Sequence, residues 1–222
     1  MEEFVLKNLV SVSILSSDFM NLSEDIKTIK KSGAQMLHFD VMDGVFVNNI
    51  SFGFPILETV NKNTDMHLDV HLMITDPLRY IEECGRCGAD TVTFHIESEC
   101  DPQKTIEAIK KIGAKVGLSI KPNTPFEDIV PFMDKIDMLL IMTVEPGFGG
   151  QSFMENQLEK ISAAREYINK NNLSVDIQVD GGINDKTAKL ASKAGANIMV
   201  AGSYLFKSKN MKEAVTLLSD AK

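Results

Sequence analysis

Short apolar segments alternate with longer amphipathic segments along this chain, and the alternation limits the folds open to it. Eight segments rich in Val, Ile and Leu have the pattern of strands, and a segment with helical periodicity follows each of them. Such alternation is typical of βαβ units, in which helices cover a parallel sheet. The predicted strands span 9–15, 36–40, 67–74, 91–95, 115–120, 138–143, 175–180 and 198–201, and the predicted helices span 22–31, 54–61, 77–87, 102–112, 126–133, 156–171, 186–194 and 211–219.

Eight β/α units within 222 residues favour a closed (β/α)8 barrel, or TIM barrel, over an open doubly wound sheet, which stays the alternative. Glycine ends several predicted helices in repeated Gly-Ala pairs, as at Gly33-Ala34 and Gly88-Ala89, which fits a repeated turn into the next strand. No Pro/Gly/Ser-rich linker divides the chain. We therefore predict a single domain over 1–222, with its chemistry at the carboxyl ends of the strands.

Charge and composition exclude several classes of protein. The formal net charge is −8 and Lys and Arg form no run, so we predict no nucleic-acid binding. No segment approaches the ~18 apolar residues of a membrane span, and the opening Met-Glu-Glu-Phe-Val lacks the cationic start of a signal peptide. Three cysteines are too few for a disulfide framework, and we expect Cys84 and Cys87 to pack rather than to form a redox or metal pair. A cytoplasmic protein without a membrane partner is expected.

Four metal-ligating side chains fall at predicted strand ends. His38 and Asp40 share one face of the second strand, His71 ends the third strand, and Asp180 ends the seventh. A single inward histidine in a barrel is usually a core residue, but four such residues at one mouth favour a shared cation, since two buried carboxylates are costly without one. We predict one divalent metal ion, zinc first, with manganese, iron or cobalt also compatible.

Two carboxylates beside a metal predict a type of reaction. Asp40 and Asp180 lie on strands far apart in the barrel, so one can remove a proton next to a carbonyl while the other returns a proton to the opposite face. The metal would stabilise the enediolate between these steps. The expected outcome is epimerisation. Paired carboxylates also serve glycosidases, but those enzymes do not need the histidine ligands.

Other residues at the predicted mouth leave two interpretations open. Met42, Met73 and Met142 end strands where polar side chains are more usual, and their thioethers either cover the enediolate or fill the core. We expect His95 to pack or to support the site from behind. Asp69 lies one layer deeper than His71 and is expected to be a buried hydrogen-bonding group.

Glycine-rich loops follow the last three strands. Glycine lets backbone N–H groups approach an anion closely, and the loops after strands seven and eight usually form the phosphate site of this fold. Turn geometry alone also explains some of these glycines. The loop residues predicted to bind a phosphorylated substrate are Gly147, Phe148, Gly149, Gly150, Gly181, Gly182, Gly202 and Ser203.

Four segments carry a resemblance to a known family over nearly the whole chain. They are LHFDVMDG at 37–44, DVHLM at 69–73, MTVEPGFGGQ at 142–151 and VDGGI at 179–183. In these segments the chain resembles the ribulose-phosphate 3-epimerase family, isomerases that interconvert D-ribulose 5-phosphate and D-xylulose 5-phosphate in the pentose phosphate pathway. Val12 and Asn48 depart from it, because proline is common there, which puts loop rigidity and substrate fit in doubt but removes no catalytic group.

The resemblance implies a TIM barrel of the ribulose-phosphate-binding type, a sugar-phosphate substrate and a homo-oligomer. It implies the metal ligands His38, Asp40, His71 and Asp180, with Asp40 and Asp180 as the acid/base pair. It also implies substrate contacts from the residues around the metal and from the glycine loops. Besides those loops, the substrate-contacting residues are Ser13, Met42, His71, Met73, Met142 and Asp180.

Three alternatives stay open at this point. A sister epimerase of D-allulose 6-phosphate would keep the same carboxylates and metal but need a longer cavity. A sugar-phosphate lyase would need a lysine at a strand end, and Lys121 is the evident candidate. A barrel that only binds a phosphorylated ligand would leave the paired carboxylates unexplained.

Overall fold

The computed structural model describes residues 8–222, so the opening segment 1–7, on which the signal-peptide argument depends, lies outside the described residues. Eight parallel strands close into a barrel in chain order. The predicted TIM barrel is therefore confirmed, while the assignment of all of 1–222 to one domain stays a prediction. The strands are β1 Leu9–Ser13, β2 Met36–Met42, β3 His67–Met73, β4 Thr91–His95, β5 Lys115–Ile120, β6 Met138–Met142, β7 Asp176–Asp180 and β8 Ile198–Ala201.

Helices connect successive strands around the outside of the barrel. Within residues 8–222, no helix is long and apolar enough to cross a membrane. The α-helices are α1 Leu22–Ser32, α2 Phe54–Asn63, α3 Ile81–Arg86, α4 Pro102–Lys111, α5 Leu158–Lys170, α6 Thr187–Ala194, α7 Ser203–Phe206 and α8 Met211–Ser219, and 3-10 helices span Ile14–Ser16, Leu78–Tyr80, Phe126–Phe132 and Glu155–Gln157.

The structure corrects several predicted boundaries. The helix predicted over 126–133 is a 3-10 helix, Phe126–Phe132, and Pro131 lies inside it, where a proline cannot donate the backbone hydrogen bond of an α-helix. The first strand ends at Ser13 rather than at 15, because the chain turns there into the 3-10 helix Ile14–Ser16. The second strand continues to Met42, which pairs with Met73 of β3. The short helix α7 was not predicted.

Alternate residues of each strand face either the helices or the barrel interior. Val12, Phe39 and Val70 belong to the main hydrophobic core, together with helix residues such as Ile29 and Ile106. Their neighbours along each strand point the other way, into the barrel, because strand side chains alternate. The main apolar layer therefore lies between barrel and helices, while the interior holds polar groups together with smaller apolar clusters such as that of Met36, Met138 and Ile198.

A buried carboxylate connects the polar groups inside the barrel. Oδ2 of Asp69 accepts hydrogen bonds from Ser11 Oγ at 2.8 Å and Gln178 Nε2 at 2.7 Å, and it lies 2.8 Å from His38 Nδ1. Burial raises the pKa of Asp69, but the charge of His38 and these hydrogen bonds outweigh it and hold the pKa below its usual value. Asp69 is thus the buried hydrogen-bonding group that its position predicted. It holds His38 from beneath.

The cysteines have the environment expected of packing residues. Cys84 and Cys87 are both fully buried, and all three cysteines are free thiols. Burial raises the pKa of Cys84 to about 12, which keeps this thiol protonated and unreactive at neutral pH.

Candidate active site

Four side chains predicted as metal ligands meet at the carboxyl end of the barrel. One donor atom from each of His38, Asp40, His71 and Asp180 lies within 4.8 Å of every other. Nε2 of His38 lies 3.3 Å from Oδ1 of Asp40, and Nδ1 of His71 lies 3.4 Å from the same oxygen. Oδ2 of Asp180 lies 3.8 Å from both ring nitrogens. Two imidazole nitrogens and two carboxylate oxygens in one cluster form a donor set that suits a divalent cation.

Hydrogen bonds from behind orient three of these four side chains. His38 Nδ1 lies 2.8 Å from Asp69 Oδ2, and Ser13 Oγ donates to Asp40 Oδ2 at 2.7 Å. His71 Nε2 lies 2.9 Å from His95 Nε2. In each case one atom faces the cluster while another is held by a neighbour, which is the usual arrangement around a metal. The cluster is therefore built to present lone pairs to a common point.

The two carboxylates of the cluster have opposite electrostatic environments. Burial raises the pKa of Asp40, but the charge and the hydrogen bond of His38 outweigh burial and hold the pKa far below its usual range. Burial, together with the negative charge of Asp40, raises the pKa of Asp180 to about 6. His38 responds in turn, since Asp40 and Asp69 outweigh burial and raise its pKa well above the usual value. Carboxylates with separated pKa values are typical of acid/base pairs.

His95 continues the network away from the cluster. Its Nδ1 lies 3.2 Å from Glu97 Oε2, and the other oxygen of Glu97 accepts hydrogen bonds from the Lys121 backbone amide at 2.7 Å and from Thr124 Oγ1. Burial lowers the pKa of His95 to about 4. Burial raises the pKa of Glu97, but its contacts with His95 and Thr124 prevail and lower the pKa to about 2. His95 therefore lies directly behind His71, and Glu97, which was not predicted from the sequence, lies behind His95.

A cavity of about 230 Å³ opens above the cluster, a size suited to a small molecule. Asp40 and Asp180 line it, whereas His38 and His71 are fully buried beneath and do not. His71 therefore lies beneath the cavity and lacks the direct access to it that its predicted substrate contact requires. The other predicted residues that line the cavity are Ser13, Met42, Met73, Met142, Gly147, Phe148, Gly149, Gly150, Gly181, Gly182, Gly202 and Ser203.

Two glycines show why the loops on one side of the cavity need to lack side chains. Gly182 has φ +67°, and a Cβ added there would lie 2.4 Å from the Phe153 backbone nitrogen. A Cβ on Gly202 would lie 2.6 Å from Ser16 Oγ. At these two positions a side chain would clash, and glycine lets the backbone approach the cavity closely. Helix α7 begins at Ser203, directly after Gly202.

The three methionines and Lys121 differ in their relation to the cavity. Met42, Met73 and Met142 all line it although at most 5% of each is exposed, so they are buried residues that also face the cavity. Lys121 does not line it, and its Nζ lies 3.7 Å from the centroid of the Phe46 ring. The lysine expected of a lyase is therefore directed at an aromatic face.

Several cavity residues were not predicted from the sequence. Ser16 and Tyr204 lie in short helices whose existence or extent was itself missed. Gln178 does not line the cavity but donates to Asp69 from inside the barrel. It precedes Asp180 by two residues, so the two-residue repeat of a strand was a signal that could have found it. The remaining lining residues are Leu15, Val144, Pro146, Gln151, Ile183, Asn184, Val200 and Ala201.

Fold and site together define a TIM barrel with a His/Asp cluster suited to a divalent cation at its carboxyl end and glycine-rich loops beside it. The sequence profile described as the Ribulose-phosphate 3 epimerase family matches residues 9–206. The chain belongs to the ribulose-phosphate 3-epimerase family, as its motifs predicted.

Relatives and solved structures agree with this membership. The chain is 44% identical over 214 residues to the ribulose-phosphate 3-epimerase of Bacillus subtilis, covering 96% of this chain and 99% of the relative. It is 42% identical over 213 residues to the cytoplasmic isoform of Oryza sativa subsp. japonica, covering 94% and 92%. A crystal structure of 3-hexulose-6-phosphate synthase from Salmonella typhimurium superposes with a TM-score of 0.70 at 18% identity, covering 96% and 97%, which supports the fold alone.

Proposed function

We propose that this chain is an isomerase that epimerises D-ribulose 5-phosphate at C3 to give D-xylulose 5-phosphate. The observation that carries the proposal is the pair of carboxylates, Asp40 and Asp180, which line one cavity from strands on different sides of the barrel. Relatives at 42% and 44% identity carry the name of this activity. The reaction would belong to the pentose phosphate pathway.

The donor cluster is proposed to hold one divalent metal ion, with zinc as the first choice. His38, Asp40, His71 and Asp180 supply two nitrogens and two oxygens within 4.8 Å, a set that zinc accepts and that manganese, iron or cobalt also accept. When bound, the cation would stabilise the negative charge that develops on the substrate oxygens. Burial of the two histidines supports a ligand role rather than a substrate contact for them.

Asp40 and Asp180 are proposed to remove and return the proton at C3. One carboxylate of the Asp40–Asp180 pair removes the C3 proton of the bound ketose, which leaves an enediolate between C2 and C3. The other, in its carboxylic acid form, delivers a proton to the opposite face of C3, and the configuration is inverted. Ser13 donates to Asp40 at 2.7 Å and so keeps one carboxylate oxygen in place. The thioethers of Met42, Met73 and Met142 would exclude water without acting as bases.

The glycine loops are proposed to bind the phosphate group. Gly149 and Gly150 after β6, Gly181 and Gly182 after β7, and Gly202 after β8 all line the cavity, opposite the histidine side. Backbone N–H groups and Ser203 would hold the anion and so fix the distance between C3 and the carboxylates. Phe148 is 58% exposed and would cover the open side.

Two alternatives are less well supported. Epimerisation of D-allulose 6-phosphate would use the same carboxylates, but the relatives found carry the pentulose name. Lyase chemistry would need a free amine, and the amine of Lys121 lies against Phe46 outside the cavity.

We also propose a homo-oligomer in the cytoplasm, with no nucleic-acid or membrane partner. Met20, Val45 and Ile50 are at least 76% exposed, so apolar surface is available for a second copy. A relative of this chain is named a cytoplasmic isoform, although another is named chloroplastic.

The test is exchange of the C3 hydrogen of D-ribulose 5-phosphate with deuterium oxide, followed by NMR. Exchange with build-up of D-xylulose 5-phosphate is expected for protein loaded with zinc or manganese, and both should stop after chelation and return on adding metal. Exchange that survives chelation would overturn the proposal that the reaction depends on a metal ion. Absence of exchange, with turnover of D-allulose 6-phosphate in the same buffer, would move the proposal to the hexulose.

A further inference from the structure

A chain of side-chain hydrogen bonds runs outward from the metal-binding cluster. His71 presents Nδ1 to the cluster, and its Nε2 lies 2.9 Å from Nε2 of His95. Nδ1 of His95 lies 3.2 Å from Glu97 Oε2. Oε1 of Glu97 accepts from the backbone amide of Lys121 at 2.7 Å and from the hydroxyl of Thr124. Both histidine rings are fully buried, so water cannot replace a missing partner.

At Glu97, the outer end of this hydrogen-bond series, only one donor–acceptor direction is possible. A backbone amide donates, so Glu97 Oε1 must accept from Lys121. A carboxylate accepts at both oxygens, and the nitrogen of His95 that faces Oε2 must therefore carry a proton. A neutral imidazole with a proton on Nδ1 has a lone pair on Nε2. Nε2 of His95 consequently accepts from His71.

At His71, the inner end of the series, the donor–acceptor direction follows from that of His95. Because His95 accepts, Nε2 of His71 carries the proton of the contact between the two rings. Its Nδ1 is then left with a lone pair, and this is the atom that lies 3.4 Å from Asp40 Oδ1 in the metal-binding cluster. A metal ion binds an imidazole only through a deprotonated nitrogen. The donor–acceptor direction that Glu97 imposes therefore leaves His71 with the free Nδ1 that a metal ligand needs.

We propose that Glu97, acting through His95, fixes the tautomer of His71 in which Nδ1 is free to bind the metal. Glu97 and His95 are positioning residues, since neither lines the cavity. The inference rests on the proposed function, because it concerns the metal of that site. It makes the tautomer of His71 depend on Glu97, a carboxylate that reaches the cation only through His95 and His71.

Replacement of Glu97 by Gln is expected to reverse the donor–acceptor direction of the hydrogen bonds from Glu97 to His95 and from His95 to His71. The amide oxygen has to remain on the Lys121 N–H, since an NH₂ group there would face another donor. The NH₂ group then points at His95 Nδ1, which becomes an acceptor, so that His95 donates from Nε2. His71 must accept at Nε2 and hold its proton on Nδ1, where it blocks ligation. Loss of such a supporting partner typically weakens metal affinity about 10- to 100-fold.

The matched control is Thr124→Val. It removes one hydrogen bond to the same carboxylate but leaves the charge of Glu97 and its contacts with Lys121 and His95. We expect a change of zinc affinity of less than about threefold in this variant. Far-ultraviolet circular dichroism of both variants checks that the barrel is folded.

Two measurements test the inference without any activity assay. Zinc affinity is measured by competition with a chromophoric chelator, on wild type, Glu97→Gln and Thr124→Val. The tautomers of His71 and His95 are read from imidazole ¹⁵N chemical shifts, and with 4 histidines in the chain the signals are assigned by single His→Gln replacements. We expect protons on Nε2 of His71 and on Nδ1 of His95 in wild type, and the opposite pair in Glu97→Gln.

The outcomes separate this inference from the function on which it rests. A wild-type protein that binds no divalent metal would overturn the metal-dependent function. Wild-type protein that binds zinc but carries the proton of His71 on Nδ1 before zinc is added would overturn the inference alone, whether or not the variants fold. Equal zinc affinity in Glu97→Gln and wild type would also overturn it.

Discussion

The two sides of the barrel mouth are built in different ways. On the side of β2, β3 and β4, buried side chains hold one another, as in the contacts of His38 with Asp69 and of His71 with His95. On the side of β6, β7 and β8, glycines bring backbone groups to the cavity at positions where an added Cβ would clash, as at Gly182. A cation needs lone pairs at fixed positions, whereas a phosphate needs donors from several directions.

We therefore expect metal binding and substrate binding to be separable in this protein. A change behind the side-chain face is expected to alter metal affinity, because the orienting hydrogen bonds are lost. A change in a glycine loop is expected to alter substrate affinity and leave the metal in place. Asp180 joins the two sides, since it belongs to the cluster and precedes Gly181 and Gly182.

The largest effect is expected where the two sides meet the substrate. Asp40→Asn and Asp180→Asn each remove one proton carrier while nearly preserving shape, and we expect kcat to fall about 10³-fold in both. Steady-state turnover and C3 hydrogen exchange measure this. Asp134→Asn, at an exposed carboxylate, is the control and should keep wild-type turnover. Wild-type exchange in Asp180→Asn would refute the two-carboxylate mechanism.

An intermediate effect is expected for Gly182→Ala. A Cβ at this position meets the Phe153 backbone at 2.4 Å, so the loop after β7 must move. We expect kcat/KM to fall about 10²-fold, since displacement of a positioning loop by about 1 Å is that costly. Zinc affinity measured by chelator competition should stay unchanged.

Gly150→Ala is the matched control for this prediction. Gly150 also has positive φ, +75°, but nothing lies within 4 Å of an added Cβ, so only backbone strain is expected and the fall should be less than about tenfold. Zinc affinity that falls in parallel with kcat/KM in Gly182→Ala would show that the two sides of the mouth are not independent.

The smallest effect is expected at Asp43, which holds the loop after β2. Its carboxylate accepts from the backbone amides of Val45, Phe46 and Thr75 and from the Thr75 hydroxyl, at 2.7 to 2.8 Å. Burial raises the pKa of Asp43, but these hydrogen bonds outweigh it and lower the pKa. Asp43→Asn should reduce the free energy of unfolding by about 1–3 kcal/mol at pH 7, because an amide cannot accept at both positions.

The same change has a predictable pH dependence. A carboxylate with a lowered pKa in the folded state stabilises the protein above its unfolded value, and that contribution is lost as pH falls through the folded pKa. The difference between wild type and Asp43→Asn should therefore shrink as pH falls below 4. Urea unfolding of metal-free protein at pH 7 and pH 3.5 measures it. An equal difference at both values would assign the loss to the amide rather than to the charge.

The candidate ligands were predictable because their placement at the strand ends depends only on local geometry. The two-residue repeat of a strand places His38 and Asp40 on one face, and the barrel rule places that face at the mouth. Glu97 was missed for the opposite reason. It follows the fourth strand in a loop, and its link to His71 depends on where β4 sets His95 relative to β3, a distance that no local pattern contains.

The eight β/α units, their order and the set of side chains at the strand ends could be read from the sequence, because they follow from the periodicity of apolar residues. Which of these groups come into contact depends on how the barrel closes. Closure of the barrel brings Asp180 of β7 to 3.8 Å from His38 and His71 of β2 and β3, more than 100 positions earlier in the chain. Such contacts depend on the register of every strand around the barrel, and therefore on packing of the whole molecule rather than of any one segment.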